Sequence, residues 1–233
     1  MKKANFLTRF LQKKTTTIFL VLIGMCIALG IANKSFFLYE NLASVARAAS
    51  YTAILAMGEL LVILICGIDL SVGAICGLSA VTAAMLVAQA GMPLPVAILA
   101  ALLVGCVMGL LNGLLVVGLK LPPFIATMGT TQIITSIALL LTNGKPVLGL
   151  GSDFLFIGQG KILGLPVATW ILIVAAILFS LFLTRTVTGR RLYALGGGEE
   201  AARFSGINTT RLKITTYVIS GFMSAVCGVI LCA

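Results

Sequence analysis

The chain has 233 residues, of which 60% are hydrophobic and 9% charged, whereas a soluble domain carries about 25% charged residues. Mean hydropathy is +1.18, which excludes a water-soluble globule. Sixteen Lys and Arg stand against six Asp and Glu, a formal charge of +10; in so apolar a chain this excess marks cytoplasmic loops of a membrane protein, not nucleic-acid binding.

A bilayer-spanning helix takes about 20 apolar residues, and the apolar runs between breakers predict seven spans, at 17–32, 48–66, 72–90, 93–119, 123–141, 165–184 and 214–233. The expected fold class is an all-α polytopic membrane protein, a single transmembrane domain over 1–233 with a cytoplasmic segment at 1–16. Lys2, Lys3, Arg9, Lys13 and Lys14 precede the first span as in a signal peptide, but no small-x-small cleavage site follows, so an uncleaved helix is predicted. With the N-terminus inside, alternation places twelve of the 16 basic residues in the cytoplasm and leaves only Lys34, Arg47, Lys145 and Lys161 outside.

Residues 36–47 mix Phe36, Phe37, Leu38, Leu42 and Val45 with Glu40, Asn41 and Arg47, and predict an interfacial helix on the outer surface. The second span carries Glu59 near its middle, where an ionisable group must face protein or water, which makes it a functional candidate. Only residues 67–71 separate the second and third spans, leaving open a broken or re-entrant pair. Within that joint Asp69 and Ser71 are candidates either to cap the third span or to act at a functional hinge.

In the fourth span Gly105, Gly109 and Gly113 recur at intervals of four, on one helix face where a neighbouring backbone can approach. Asn112 beside them needs a hydrogen-bond partner or water, and either an interhelical bond or a pathway role would supply it. Pro122 and Pro123 end one helix and pre-set the first turn of the next, which opens with Phe124. Thr127, Thr131 and Thr135 follow at i, i+4 and i+8, a hydroxyl stripe that either lines a polar route or bonds back to its own helix. The outer loop 142–164 is rich in Gly, with Asp153 and Lys161, and serves as an external contact or a solvated connection.

Residues 185–213 form the large Arg-rich inside loop. There Gly196, Gly197 and Gly198 break the chain, Glu199 and Glu200 suit a helix start, Arg203 is placed to pair with Glu199 at i+4, and Gly206 can close the end. The expected product is a short helix whose small Ala201 and Ala202 form a slim surface able to enter a cleft on another protein.

No histidine is present, which removes His-Glu-x-x-His zinc proteases, Ser-His intramembrane proteases and His-ligated haem bundles. No Gly-x-x-x-x-Gly-Lys-[Ser/Thr] occurs, so any nucleotide hydrolysis belongs to another chain. Cys26, Cys66, Cys76, Cys106, Cys227 and Cys232 lie in or beside apolar runs without a Cys-x-x-Cys pair, which reads as packing rather than a disulfide framework or metal site. No catalytic residue, metal or cofactor is expected.

Four stretches together resemble the permease subunit of ribose- and galactose-type ABC sugar importers: Ala56-Met57-Gly58 through Gly67-Ile68-Asp69-Leu70-Ser71-Val72-Gly73, Gly109-Leu110-Leu111-Asn112-Gly113, Pro122-Pro123-Phe124-Ile125-Ala126-Thr127-Met128-Gly129, and Ala194-Leu195-Gly196-Gly197 through Ala201-Ala202-Arg203-Phe204-Ser205-Gly206-Ile207. They follow the family's order over most of the chain. The resemblance implies that 196–207 docks on a separate ATP-binding subunit, that an extracytoplasmic binding protein delivers the sugar, and that two permease copies or homologues pair in a bacterial plasma membrane. It also implies further helices and another glycine-rich motif beyond Ala233, so the chain is expected to be a shortened permease. Glu59 departs from the small uncharged polar residue that many relatives carry there, and sugar, autoinducer and nucleoside-like cargo stay open. Two other classes make different demands on these residues. A secondary transporter would cycle a proton on Glu59 or Asp69. A membrane scaffold would have no need of Glu59, Asn112 and the threonines.

Overall fold

The computed structural model describes residues 14–233; Lys2, Lys3, Arg9 and Lys13, and with them most of the expected cytoplasmic segment 1–16, lie outside the described residues. The described chain is helical apart from one two-stranded ribbon. Its elements are α1 (Lys14–Ala32), α2 (Tyr39–Leu64), α3 (Val72–Ala88), α4 (Leu94–Val117), α5 (Pro123–Thr142), α6 (Ser152–Gln159), β1 (Lys161–Ile162), β2 (Leu165–Pro166), α7 (Val167–Arg185), α8 (Val187–Gly197), α9 (Glu199–Phe204) and α10 (Thr209–Cys232). The helices α2, α4, α5, α7 and α10 are long and apolar enough to cross a membrane, while Thr16–Ala32 and Val72–Ala88 are apolar but shorter. An all-α, polytopic membrane protein is what these helices make.

The chain divides into two compact units, Met1–Ala46 and Arg47–Ala233. In the first, Phe36 and Phe37 meet edge to face with ring centroids 5.1 Å apart, and Asn41 donates from Nδ2 to the Phe36 carbonyl at 2.7 Å. The interfacial helix expected over 36–47 is not a separate element, because α2 begins at Tyr39 and runs unbroken to Leu64. No Gly or Pro interrupts residues 39–57, and alanine there favours continuous helix.

The second unit starts its helices where the sequence supplies stops. Pro93, Pro122 and Pro166 each precede a helix with φ near −55°, and Asn208 accepts the Arg211 N–H at the start of α10. That cap lies several residues before the expected start of the last span, so α10 carries Arg211 and Lys213 in a polar first turn. The outer loop contains α6 and the β1–β2 ribbon, which pairs Lys161 with Pro166 and Ile162 with Leu165. Leu163 and Gly164 both take positive φ in its two-residue turn, as a tight hairpin requires.

The helices α3, α4 and α10 form the centre. Along α4 the small residues Ala97, Ala101, Gly105 and Gly109 face inward, while Leu99, Leu103 and Val107 stand exposed. This inversion suits a bilayer, where large side chains lose nothing by facing lipid and small ones let backbones meet. A Cβ on Gly105 would overlap the Gly221 carbonyl, one on Gly109 the Tyr217 carbonyl, and one on Gly113 would sit 3.0 Å from the Ile214 Cα. Gly221 returns the contact, since its own Cβ would overlap the Gly105 carbonyl.

At one end of the bundle α8 buries Leu192 and Leu195 against Leu61, Val62 and Ile65 from α2 and the turn after it, and against Leu212 of α10. At the other end Gly158 of α6 packs on the last turn of α10, and Gln159 Nε2 donates to the Ala233 carbonyl at 3.1 Å. The loop regions 185–213 and 142–164 thus sit at opposite ends of α10.

Candidate functional site around Asp69

Between α2 and α3 the backbone leaves helical geometry and turns Asp69 inward, while Ile68 and Leu70 on either side stay exposed. Cys66 adopts φ 57°, the Gly67 N–H still closes on the Val62 carbonyl at 2.8 Å, and residues 68–70 lie beyond the helical ladder. Backbone groups shielded from water need other partners in place of the ladder. Here side chains supply them. Glu59 Oε1 accepts from the Asp69 N–H at 3.3 Å, Thr127 Oγ1 accepts from the Leu70 N–H at 3.2 Å, and Asp69 Oδ1 accepts from the Ser71 N–H at 2.9 Å.

The Asp69 carboxylate is the centre of this set, and only 2% exposed. Its Oδ1 also accepts from Ser71 Oγ at 2.6 Å, and its Oδ2 accepts from Ser220 Oγ at 3.2 Å. Ser71 Oγ in turn accepts from Asn112 Nδ2 at 2.6 Å. Ser71, Asn112, Thr127 and Ser220 are fully buried, so four helices and the joint converge on one polar node. Two shielded acceptors, Glu59 Oε2 and Asn112 Oδ1, receive no hydrogen bond. A buried polar atom without a partner carries a desolvation cost of about 1–3 kcal/mol, and active or transport sites are where such costs persist.

Gly58 brings α2 onto this node. A Cβ there would lie 3.2 Å from the Ser220 Cα, so glycine lets Glu59 reach the Asp69 N–H. The alternative of capping is answered by geometry: Ser71 is the residue before α3 but makes no side-chain cap bond, and Asp69 binds the Ser71 N–H rather than the first turn of α3.

Not every candidate joins the node. Thr131 donates to the Thr127 carbonyl at 2.7 Å and Thr135 to the Thr131 carbonyl at 2.8 Å, so of the hydroxyl stripe only Thr127 reaches the joint. Phe124 is 49% exposed and points away from the node. Ser220 was not singled out from sequence, although Thr216, Ser220 and Ser224 are spaced i, i+4, i+8 and all buried in α10. That spacing of small polar residues was the signal available.

The 185–213 loop differs from expectation in three ways. Gly196 and Gly197 do not break the chain but end α8, which stops at Gly198. The reason is contact: a Cβ on Gly196 would overlap the Leu64 carbonyl, so Gly196 seats α8 on the last turn of α2. Cys66 Sγ lies 3.9 Å from the Gly196 carbonyl on the same seam. Glu199 pairs with Lys213 at 2.7 Å instead of with Arg203, whose guanidinium lies 5.9 Å over the Phe204 ring. Ala202 is buried at 3% exposure among Leu195 and Leu212, so only Ala201 faces outward as a slim surface. Gly206, at φ 80°, closes α9 as expected, and the Ile207 N–H donates to the Ala202 carbonyl at 3.1 Å.

Comparison with known proteins identifies relatives of the chain. The ribose import permease protein RbsC of Haemophilus influenzae is 37% identical over 232 residues, covering 97% of this chain and 71% of that protein. The ribose import permease protein RbsC of Bacillus subtilis is 40% identical over 216 residues, 91% of this chain and 66% of the relative. The autoinducer 2 import system permease protein LsrC of Escherichia coli is 34% identical over 223 residues, 95% of this chain and 65% of the relative. The chain therefore spans about two thirds of the length of these relatives. No solved structure matches it. Residues 41–233 match the family described as branched-chain amino acid transport system / permease component, and with this helical bundle, its glycine seam and its buried polar joint, the chain belongs to that permease family.

Proposed function

We propose that the chain is a membrane-spanning subunit of an ATP-binding-cassette importer in a bacterial plasma membrane, carrying a simple sugar or a similarly small polar solute. A binding protein outside delivers the solute, a second permease copy or homologue completes the pathway, and ATP is used by a separate subunit docked on 185–213. The relatives named for ribose and autoinducer 2 import support the cargo class. One observation carries the mechanism: the non-helical backbone around the buried Asp69 is held by side-chain bonds, and the hairpin α8–α9 rests on the end of the helix that leads into it.

In this reading Asp69, Ser71, Asn112 and Glu59 present hydroxyl-matching donors and acceptors to a polar solute, with Thr127 and Ser220 holding the joint. The cytoplasmic hairpin is pressed by the ATP-binding subunit through Ala201 and the exposed face of α9, and Gly196 passes the displacement to Leu64. Uptake of labelled ribose into vesicles tests it, with the chain co-expressed alongside its ATPase and binding protein. Uptake that requires ATP and both partners supports the importer. Uptake that proceeds without them and collapses with the proton gradient would assign the chain to proton-coupled transport through Glu59 or Asp69.

A further inference from the structure

We propose that the cleft between the α4–α5 turn and the start of α10 binds the phosphate headgroup of an anionic phospholipid. The cleft measures about 560 Å³ and is lined by Lys120, Arg203 and Lys213, with Leu121 and Pro122 on one wall. Glu199 also lines it and already pairs with Lys213, so the cleft holds a surplus of two positive charges among its side chains.

The surplus is reinforced by backbone. The α5 helix begins at Pro123 and α10 at Thr209, and both starts border the cleft. Each contributes the partial positive charge of a helix N-terminus. Lys120 itself is held at φ 54°, a left-handed conformation that costs a lysine more than a glycine. The residue is thus kept in the turn despite its backbone.

Apolar surface beside the cleft chooses the source of the anion. Leu119 is 66% exposed, and Phe124 and Ile125 at the start of α5 are 49% and 60% exposed. Cations at a cleft mouth with bare apolar side chains beside it match a headgroup whose acyl chains run down α5, whereas a free phosphate would use only the cations. Basic pockets between transmembrane helices at the membrane surface bind lipid headgroups by this arrangement. A bound headgroup would tie the α4–α5 turn to α9 and α10 through one anion. The inference holds whichever solute the chain carries.

The test is native mass spectrometry of the full chain in neutral detergent, titrated with phosphatidylglycerol or phosphatidylcholine. At about fivefold per cation near a membrane surface, the surplus of two predicts a preference of about 25-fold for phosphatidylglycerol. Lys120→Gly should reduce it about fivefold, and Lys120→Arg should keep it. The glycine variant suits the local φ, and its thermal unfolding is followed alongside to show that it remains folded. Equal retention of the two lipids, an unchanged preference in Lys120→Gly, or displacement of phosphatidylglycerol by millimolar inorganic phosphate would each overturn the assignment.

Discussion

Gly196 is seated on the Leu64 carbonyl so closely that no side chain fits between α8 and the end of α2. Two residues after Leu64, Cys66 turns the chain toward Asp69, so the α8–α9 hairpin and the buried joint meet on one short piece of backbone. A shift of α8 therefore acts directly on the end of α2 at Leu64.

Gly196→Ala should therefore separate docking from turnover. The added methyl must displace α8 or the Leu64 turn, because the obstacle is backbone and cannot rotate away. Overpacking of this kind costs about 1–3 kcal/mol. The expected result is normal co-purification of the ATP-binding subunit with ATP hydrolysis no longer stimulated by loaded binding protein. Unaltered stimulation would remove Gly196 from the coupling route.

On the glycine seam, Gly105→Leu and Gly109→Leu should lower thermal stability in detergent by about 1–3 kcal/mol or more, since each side chain would enter the backbone of α10. Gly77→Ala in α3 is the control. Nothing lies within 4 Å of its Cβ position, and replacing a helical glycine with alanine should be neutral or stabilising by up to about 1 kcal/mol.

At the node, Asp69→Ala strands the Ser71 N–H, with the Ser71 and Ser220 hydroxyls obliged to find other acceptors. A loss of about 1–3 kcal/mol per unsatisfied group is expected by thermal unfolding. Glu59→Gln behaves differently. Its amide oxygen can still accept from the Asp69 N–H, so thermal stability should fall less than in Asp69→Ala while solute uptake falls. Equal loss of folding and uptake would make Glu59 a structural support only.

The two alanines of α9 should part company. Ala201→Trp leaves the fold intact and blocks association with the ATP-binding subunit, as judged by co-purification, because Ala201 is exposed. Ala202→Trp should lower thermal stability first, since that position is packed beneath Leu195 and Leu212. Full association in Ala201→Trp would leave α9 as a linker.

What could be read in sequence was whatever depends on residues a few positions apart. Pro122 and Pro123 fixed the start of α5 to the residue, and the spacing of Gly105, Gly109 and Gly113 correctly implied a backbone contact. Asp69, Ser71, Asn112, Glu59 and Thr127 stood out as polar residues in apolar runs, and the fold gathers all five. What sequence hid was long-range geometry. Gly196 looked like a chain break because its reason, Leu64, lies 132 positions away. Glu199 had two cations within reach of a plausible pairing, and only the approach of α10 decides for Lys213. Ser220 is unremarkable in a helix until Gly58 brings α2 against it.

A helix can move as a rigid body, but to bend or unwind it must break bonds of its own ladder. The joint at Asp69 is under no such obligation: the N–H groups of Asp69, Leu70 and Ser71 are each held by a separate side-chain oxygen. A hydroxyl or carboxylate can hand an N–H to a neighbouring oxygen with little net change in energy, whether that oxygen belongs to the protein or to a passing solute. The segment can thus be re-tied link by link, like a rope moved from cleat to cleat, while α4 and α10 beside it stay clamped at their glycines.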